Sequence, residues 1–400
     1  MQVSEVTFAG ITHGAEAVCR LPDGSVCFVA GGIPGERASI EVVMRKRRWA
    51  RGRLLDVLDA SCDRVEAPCP YYGECGGCQL QHVAGERQAM LKRQIVTEQL
   101  ERVGGISDPP VAELVRPGGD NWYRGYRTSA RFAVDAHGRL GFHRSRSNDV
   151  IAIDRCLLLA PPAQALREEV GDAWRGAAEV SIRVGLATGG RTISVNPDTR
   201  GAPAMLRGDA TITEHVAGSP FRVSPGSFFQ PGPAGAEALT ALVLEAAAVR
   251  GGDMVLDLYA GVGLFSRALT DAGARVVAVE ASALACEDAR SNLDASATVV
   301  HGKAERIVRD LVAERRRVDV VVLDPPRRGA GAGFCVALTC LAPRVIVYVA
   351  CDPAALARDA RALTDAGYPL ACATPVDQFG YTSQIETVAA FSRRVELARG

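Results

Sequence analysis

The chain is 400 residues long, with 48% hydrophobic and 23% charged residues. That length implies two or three domains at roughly 150 residues each, and the composition excludes a disordered protein, which is poor in apolar residues and rich in net charge. Lys plus Arg and Asp plus Glu are both 46, so a polyanion must be held by local clusters and not by an overall positive field. Met1 to Gly10 is mixed and polar, and no run of about 18 apolar residues occurs. A soluble cytoplasmic protein with no membrane association is expected. Twelve cysteines are too dilute for a disulfide scaffold, and in a reducing cytosol they point to metal binding or catalysis.

Residues 1–58 alternate as short strands between glycine turns: Val3 to Phe8, Ala17 to Arg20, Val26 to Val29, Ala38 to Val43 and Ala50 to Leu55. Turn signals at Gly10, Pro22-Asp23-Gly24 and Gly31 to Gly35 predict a small β-barrel. Between its last two strands, Arg45 to Arg53 holds six cations in nine residues with Trp49. A solvated hairpin tip is the bland reading. A nucleic-acid contact is favoured because an aromatic ring stacks on bases while cations neutralise phosphates. Residues 59–235 are mixed, with a helix over Glu86 to Val103 and strands at Tyr123 to Val134, Leu140 to His143, Val180 to Val184 and Thr192 to Val195. Residues 236–400 open on an Ala/Leu-rich helix, Ala236 to Val249. Apolar strands at Met254 to Leu256, Val276 to Val279, Val318 to Leu323 and Arg344 to Val349 then alternate with helical stretches, implying a parallel sheet covered on both faces. The expected fold class is α/β, with a Rossmann-like C-terminal domain, an N-terminal barrel and a mixed α+β central domain.

The first apolar strand of the last third runs into Asp257-Leu258-Tyr259-Ala260-Gly261-Val262-Gly263 and then a helix. Gly261 and Gly263 let the backbone approach a ligand at the carboxyl edge of the sheet. The next strand ends in Glu280, a carboxylate able to accept from both ribose hydroxyls. This pattern resembles the S-adenosylmethionine site of class I methyltransferases. Ser266 stands where the dinucleotide fingerprint has its third glycine, so NAD is the rival ligand and an empty βα turn the bland alternative. In Asp324-Pro325-Pro326-Arg327 the prolines impose an extended backbone that holds Asp324 beside the same crevice. Amino-methylating enzymes with a similar motif place an aromatic where Arg327 stands, which disfavours exocyclic amine methylation. Cys351, in Tyr348-Val349-Ala350-Cys351-Asp352-Pro353, ends the following strand. Free cysteines are most often inert packing residues, but this address points the thiol into the crevice and makes it the candidate nucleophile. Cys286, Cys335, Cys340 and Cys372 lack such an address and are read as packing. Glu386, in the loop and expected edge strand Asp377 to Val388, is either a surface carboxylate or a base.

Cys69, Cys75 and Cys78 form a Cys-x5-Cys-x2-Cys cluster with glycines between the last two. A fourth ligand is needed, and Cys156 is preferred over Cys62. Four thiolates suit an iron–sulfur cluster, while structural zinc more often uses paired Cys-x2-Cys. Unliganded thiols remain the third reading. The spacing is not that of radical S-adenosylmethionine enzymes.

Together these motifs resemble the bacterial RNA uracil-C5-methyltransferase family over nearly the whole chain. Tyr123 to Arg127, Leu140 to His143 and Ser227-Phe228-Phe229-Gln230 also match, and the likeness is sharpest at Asp324 to Arg327 and Tyr348 to Pro353. The resemblance implies a TRAM-type barrel over 1–58, a central RNA-binding domain over 59–235 and a methyltransferase domain over 236–400. It implies Gln230, Tyr259, Gly261, Glu280 and Asp324 around S-adenosylmethionine, Cys351 as nucleophile, Glu386 as base, and a 4Fe-4S cluster on Cys69, Cys75, Cys78 and Cys156. In such chemistry a thiolate adds to uracil C6, the activated C5 takes the methyl, and a base removes the C5 proton. A barrel with a cluster looks most like the branch acting on 23S rRNA, since tRNA-specific members typically lack both; tRNA is the alternative substrate, and a non-catalytic RNA-binding cluster protein the reading from another class. A monomer is expected, with the target base splayed out of single-stranded or loop RNA. The chain departs from the family pattern at Pro231-Gly232 in place of Val-Asn, Ala260 in place of Cys, Leu264 in place of Asn or Thr, and Gly380 and Gln384 in place of Pro and His. The last two leave the geometry around Glu386 open.

Overall fold

The computed structural model describes residues 3–119, 122–197 and 205–393. Six strands open the chain: β1 (Val3–Thr7), β2 (Gly10–Ile11), β3 (Glu16–Arg20), β4 (Val26–Ala30), β5 (Arg37–Arg45) and β6 (Trp49–Asp59), hydrogen-bonded in the order β1-β5-β6-β4-β3-β2. Alternation along them encloses Phe8, Cys19, Cys27, Val29 and Ile40 in a small core of their own, and three register shifts between β5 and β6 bend the sheet. β2 was not expected, because two residues carry no readable period. The cationic run straddles the β5–β6 hairpin: only residues 46–48 form the exposed tip, and Arg51 lies over the Trp49 ring at 5.1 Å.

The central region contains α1 (Gly85–Arg102), β7 (Ser129–Val134), β8 (Leu140–His143), β9 (Val150–Ala152), α2 (Pro161–Val170), β10 (Ala177–Val184), β11 (Arg191–Pro197) and β12 (Met205–Gly208). Its sheet runs β12-β11-β10-β7-β8-β9, entirely antiparallel. The strand expected over Tyr123 to Val134 begins only at Ser129. Gly125 takes φ 62°, and the amides of Gly125, Arg127 and Thr128 donate to the carbonyls of Leu157, Leu158 and Pro231, drawing this stretch away from the sheet.

A hairpin of β13 (Ile212–Val216) and β14 (Ser219–Val223) and the helix α3 (Pro233–Ala247) lead into the last unit. There β15 (Met254–Leu258), α4 (Leu264–Asp271), β16 (Arg275–Glu280), α5 (Ala283–Asn292), β17 (Ala297–His301), α6 (Ala304–Ala313), β18 (Val320–Leu323), α7 (Ala332–Thr339), β19 (Val345–Ala350), α8 (Pro353–Asp365), β20 (Leu370–Val376) and β21 (Glu386–Ser392) build a seven-stranded sheet. Its order is β17-β16-β15-β18-β19-β21-β20. The first five are parallel, and β21 runs antiparallel to both neighbours. The strand expected at the edge, β21, is thus interior, with β20 outside it.

Both faces of this sheet are dry. Leu256, Leu258, Val321, Leu323, Ile346 and Tyr348 pack on one side against α1, α7 and α8. Val255, Val276, Val320, Val322, Val345 and Val347 pack on the other against α3, α4 and the β13–β14 hairpin. Each such side chain contributes about 1.5–3 kcal/mol on full burial, which is why these strands read as unbroken apolar runs. Ile11, Ala15 and Ile33 of the N-terminal sheet join the first cluster, so the N-terminal sheet is seated on this last unit. Cys286 and Cys335 are buried as expected, whereas Cys340 and Cys372 are exposed and do no packing. No helix among the described residues is long and apolar enough to cross a membrane.

Candidate active site

The strand order reverses between β15 and β18, and open sheets of this kind bind ligands at the carboxyl ends of the strands beside that switch. Tyr259, Gly261 and Gly263 follow β15 with φ of 61°, 56° and 91°. A positive φ at a tyrosine costs of order 1–3 kcal/mol and clusters at ligand sites. The Gly261 amide donates to Glu280 Oε2 at 2.9 Å and the Ser282 amide to Oε1 at 2.7 Å, fixing the carboxylate at the end of β16. Tyr259 donates from its hydroxyl to Glu305 at 3.4 Å. Beneath them Asp257 is 1% exposed, accepts from Ser266 Oγ at 2.5 Å, and leaves Oδ1 without a partner. Burial pushes Asp257 up to about 7, and burial together with the Asp257 charge pushes Asp324 up to about 7. These are carboxylates that lack a cation. A sulfonium nucleoside supplies one, and the unpartnered Asp257 oxygen and open space above Gly261 fit it.

Cys351 stands between β19 and α8, half-buried, and the next residue caps α8 as Asp352 Oδ1 accepts from the Ala355 amide at 2.7 Å. The antiparallel register of β19 and β21 pairs Ala350 with Thr387. Cys351 and Glu386 are the next residues beyond that last pair, and the Glu386 charge bears on the thiol. Burial, then the charges of Glu386 and Asp324, push the thiol up to about 12, with Arg327 opposing. Glu386, 6% exposed, is held well above the usual carboxylate range by burial and then Asp324, with Gln378 and Arg327 opposing. Cys351, Glu386 and Asp324 therefore share one low-dielectric environment, and Arg327 is the cation that faces it.

Gln230 is buried, and its Oε1 accepts from Gln378 Nε2 at 2.8 Å. The Gln378 loop is anchored by an ion pair with no solvent exposure, Lys92 Nζ to Asp377 Oδ1 at 2.6 Å. A second tie comes from the barrel, whose His13 Nε2 lies 3.2 Å from Asp352 Oδ2. Sequence reasoning missed Lys92, Gln378 and His13. None carries a local signal, because each acts across a junction between distant segments.

Two of the sequence departures have steric causes. A Cβ at Gly380 would lie 2.2 Å from Tyr123 Cα, and one at Gly232 would lie 2.1 Å from the Tyr126 carbonyl. Gln384 lines a neighbouring cleft. For Ala260 and Leu264, both buried, the structure offers no specific reason.

That cleft, about 720 Å³, lies between the central sheet and the catalytic unit and is lined by Arg127, Arg131, Arg183, Arg327, Phe228 and Phe379 among others. A separate cavity of about 450 Å³ is lined by Cys69, Cys75, Cys78 and Cys156 together. Cys62 is exposed and does not reach it. Gly76 is required in the cysteine loop, since its amide donates to the His143 carbonyl at 2.9 Å and a Cβ there would lie 2.9 Å from the same oxygen. Burial and the other three cysteines push Cys78 up to about 12, with Gln81 opposing. Among the described residues no three His, Cys, Asp or Glu converge closely enough to hold a single metal ion.

A family model described as tRNA (uracil-5-)-methyltransferase matches residues 169–394. A Streptomyces avermitilis protein described as an uncharacterized RNA methyltransferase is 37% identical over 96% of this chain and 97% of its own length. One of the same description from Halalkalibacterium halodurans is 33% identical over 97% and 96%. The crystal structure of Pyrococcus abyssi tRNA (uracil-54, C5)-methyltransferase in complex with S-adenosyl-L-homocysteine shares the fold, with a TM-score of 0.75 and 22% identity over 97% of this chain and 99% of that one.

Proposed function

Because this chain belongs to the tRNA (uracil-5-)-methyltransferase family, we propose that it transfers a methyl group from S-adenosylmethionine to C5 of a uridine in RNA, with Cys351 as nucleophile and Glu386 as base. What supports this reading is that the β19–β21 pairing ends one residue short of Cys351 and Glu386 and that the Glu386 charge bears on the Cys351 thiol. Cys351 Sγ adds to C6, the electron pair moves to C5, and C5 displaces the methyl from the sulfonium, leaving a neutral thioether. Glu386 then takes the C5 proton, and elimination restores the C5–C6 double bond and frees Sγ. Arg327 and the sulfonium charge favour the thiolate. A buried carboxyl with a raised pKa suits proton removal near neutral pH. Gln230, Tyr259, Gly261, Glu280 and Asp324 are the proposed contacts to the methyl donor.

The cysteine cavity is proposed to hold a 4Fe-4S cluster on Cys69, Cys75, Cys78 and Cys156. Its support is that the four thiols line one cavity. The methyl transfer moves no electrons, so the cluster would brace the RNA-binding unit. Iron and sulfide analysis of anaerobic protein tests this, and zinc at one equivalent would overturn it.

23S rRNA is the proposed substrate on the combination of barrel and cysteine cavity. The tRNA reading is favoured by the P. abyssi structure, named for tRNA, which spans 97% of this chain with its barrel included. Labelled methyl donor with separate rRNA and tRNA fractions, followed by nucleoside analysis, decides: 5-methyluridine in one fraction assigns the substrate, and its absence from both overturns the proposal.

A further inference from the structure

Resting on the reading that RNA is the substrate, we infer that the face of the central sheet formed by β10, β7 and β11 is a track for the sugar–phosphate backbone beside the target base, with Arg183 as its anchor. In antiparallel pairs directly opposed residues project from the same face, and i and i+2 follow suit. The register opposes Arg183 to Ser129 and Thr192, and Ser181 to Arg131 and Ser194. One face therefore presents two guanidinium groups and four hydroxyls in two rows. The opposite face carries Phe132, Val180, Ile182 and Val184 into the core. All six polar residues line the 720 Å³ cleft, which Arg127 and Arg327 also line, and among the described residues no Asp or Glu does. In a chain of zero net charge, four arginines lining one cleft, of which Arg131 is paired with Glu179 outside it, make a local anion site.

The donors are not all spent internally. Arg183 Nη1 and Arg127 Nε are buried and have no partner. Of the charges bearing on Arg183, Asp288 already serves Arg222, Ser224 and Ser227, while Glu214 is buried with both carboxylate oxygens unpartnered and does not line the cleft. At the far end Glu179 accepts from Ser181 at 3.3 Å and Asn196 at 3.0 Å and pairs with Arg131 at 3.3 Å, closing the track on that side. The opposite wall holds Phe228, 68% exposed, and the near end reaches Arg327 beside Cys351. Guanidinium and hydroxyl donors read phosphate and ribose without sequence preference, and an exposed aromatic offers a stacking surface for a base.

The test measures binding of fluorescein-labelled oligouridylate over a salt series for the full chain, Arg183→Gln and Ser194→Asp. For single strands each phosphate contact contributes about 0.7 to the salt slope, so losing one raises Kd about fourfold near 0.15 M salt relative to a 1 M reference. Arg183→Gln is expected to show that change. Ser194→Asp, which sets a carboxylate on the half-buried cleft face of β11, is expected to weaken binding most at low salt. Unchanged Kd and slope in both variants, or in Ser194→Asp alone should Arg183→Gln not fold, would overturn the track. Wild-type protein that binds oligouridylate but methylates no RNA would overturn the RNA-methylation reading instead.

Discussion

Gln378 donates from Nε2 to Gln230 Oε1 at 2.8 Å, tying the loop that delivers Glu386 to the segment after β14. Gln378 also opposes the rise in the Glu386 pKa. One amide thus bonds a proposed cofactor contact and bears on the proposed base. Gln378→Ala is expected to lower kcat about 10- to 100-fold, the range that a misplacement of about 1 Å produces, with a smaller effect on KM. Gly235→Ala should act in the same direction, because its Cβ would lie 2.3 Å from Gln378 Oε1. Steady-state methylation kinetics with both variants check this.

The Lys92–Asp377 pair lies wholly out of solvent, with Asp377 Oδ2 unpartnered. Removing one charge from such a pair costs about 3–5 kcal/mol because the other is stranded. Lys92→Met should therefore destabilise strongly in a denaturant titration, and Lys92→Met combined with Asp377→Asn should recover much of the loss. If the single and double variants unfold alike, the pair is not the anchor of the Glu386 loop.

Asp257 and Asp324 are raised to about 7. A carboxyl raised in the folded state contributes stability at low pH and loses it as pH climbs through the folded value. Without ligand, the melting temperature is expected to fall between about pH 4 and pH 7 from these two groups, by linkage. The cationic methyl donor favours their ionised forms, so its affinity should rise over the same range. S-adenosylhomocysteine, which lacks the sulfonium charge, should gain less. Calorimetric titration of both ligands at pH 5.5 and 8, a span of about 2.5 units chosen to bracket these values, tests the difference. Equal gains would remove the two acids from sulfonium recognition.

Much of the catalytic unit was legible in the chain because its physics is local. Unbroken apolar strands follow from a sheet covered on both faces, and the Asp257 to Gly263 turn, Asp324 and Cys351 each sit at a strand end, where the sequence changes texture. The sequence placed Glu386 on an edge strand, since nothing in a single strand tells whether another chain segment pairs beyond it; β20 does. The strand assumed over residues 123–128 failed for a similar reason: its amides bond to residues 157, 158 and 231, none of them near in sequence. Lys92, His13 and Gln378 were invisible because their partners are separated from them by 285, 339 and 148 residues respectively. The cysteine spacing, by contrast, marked three thiols, and these line one cavity together with Cys156.

The most direct measurement is covalent trapping on RNA containing 5-fluorouridine, whose C5 fluorine blocks the proton removal that would release the enzyme. Cys351 as nucleophile predicts a stable protein–RNA adduct that requires methyl donor, disappears in Cys351→Ala, and forms faster as pH rises, because a thiol pushed up to about 12 gains thiolate about tenfold per pH unit. An adduct that persists in Cys351→Ala, or full methylation by that variant, would contradict it.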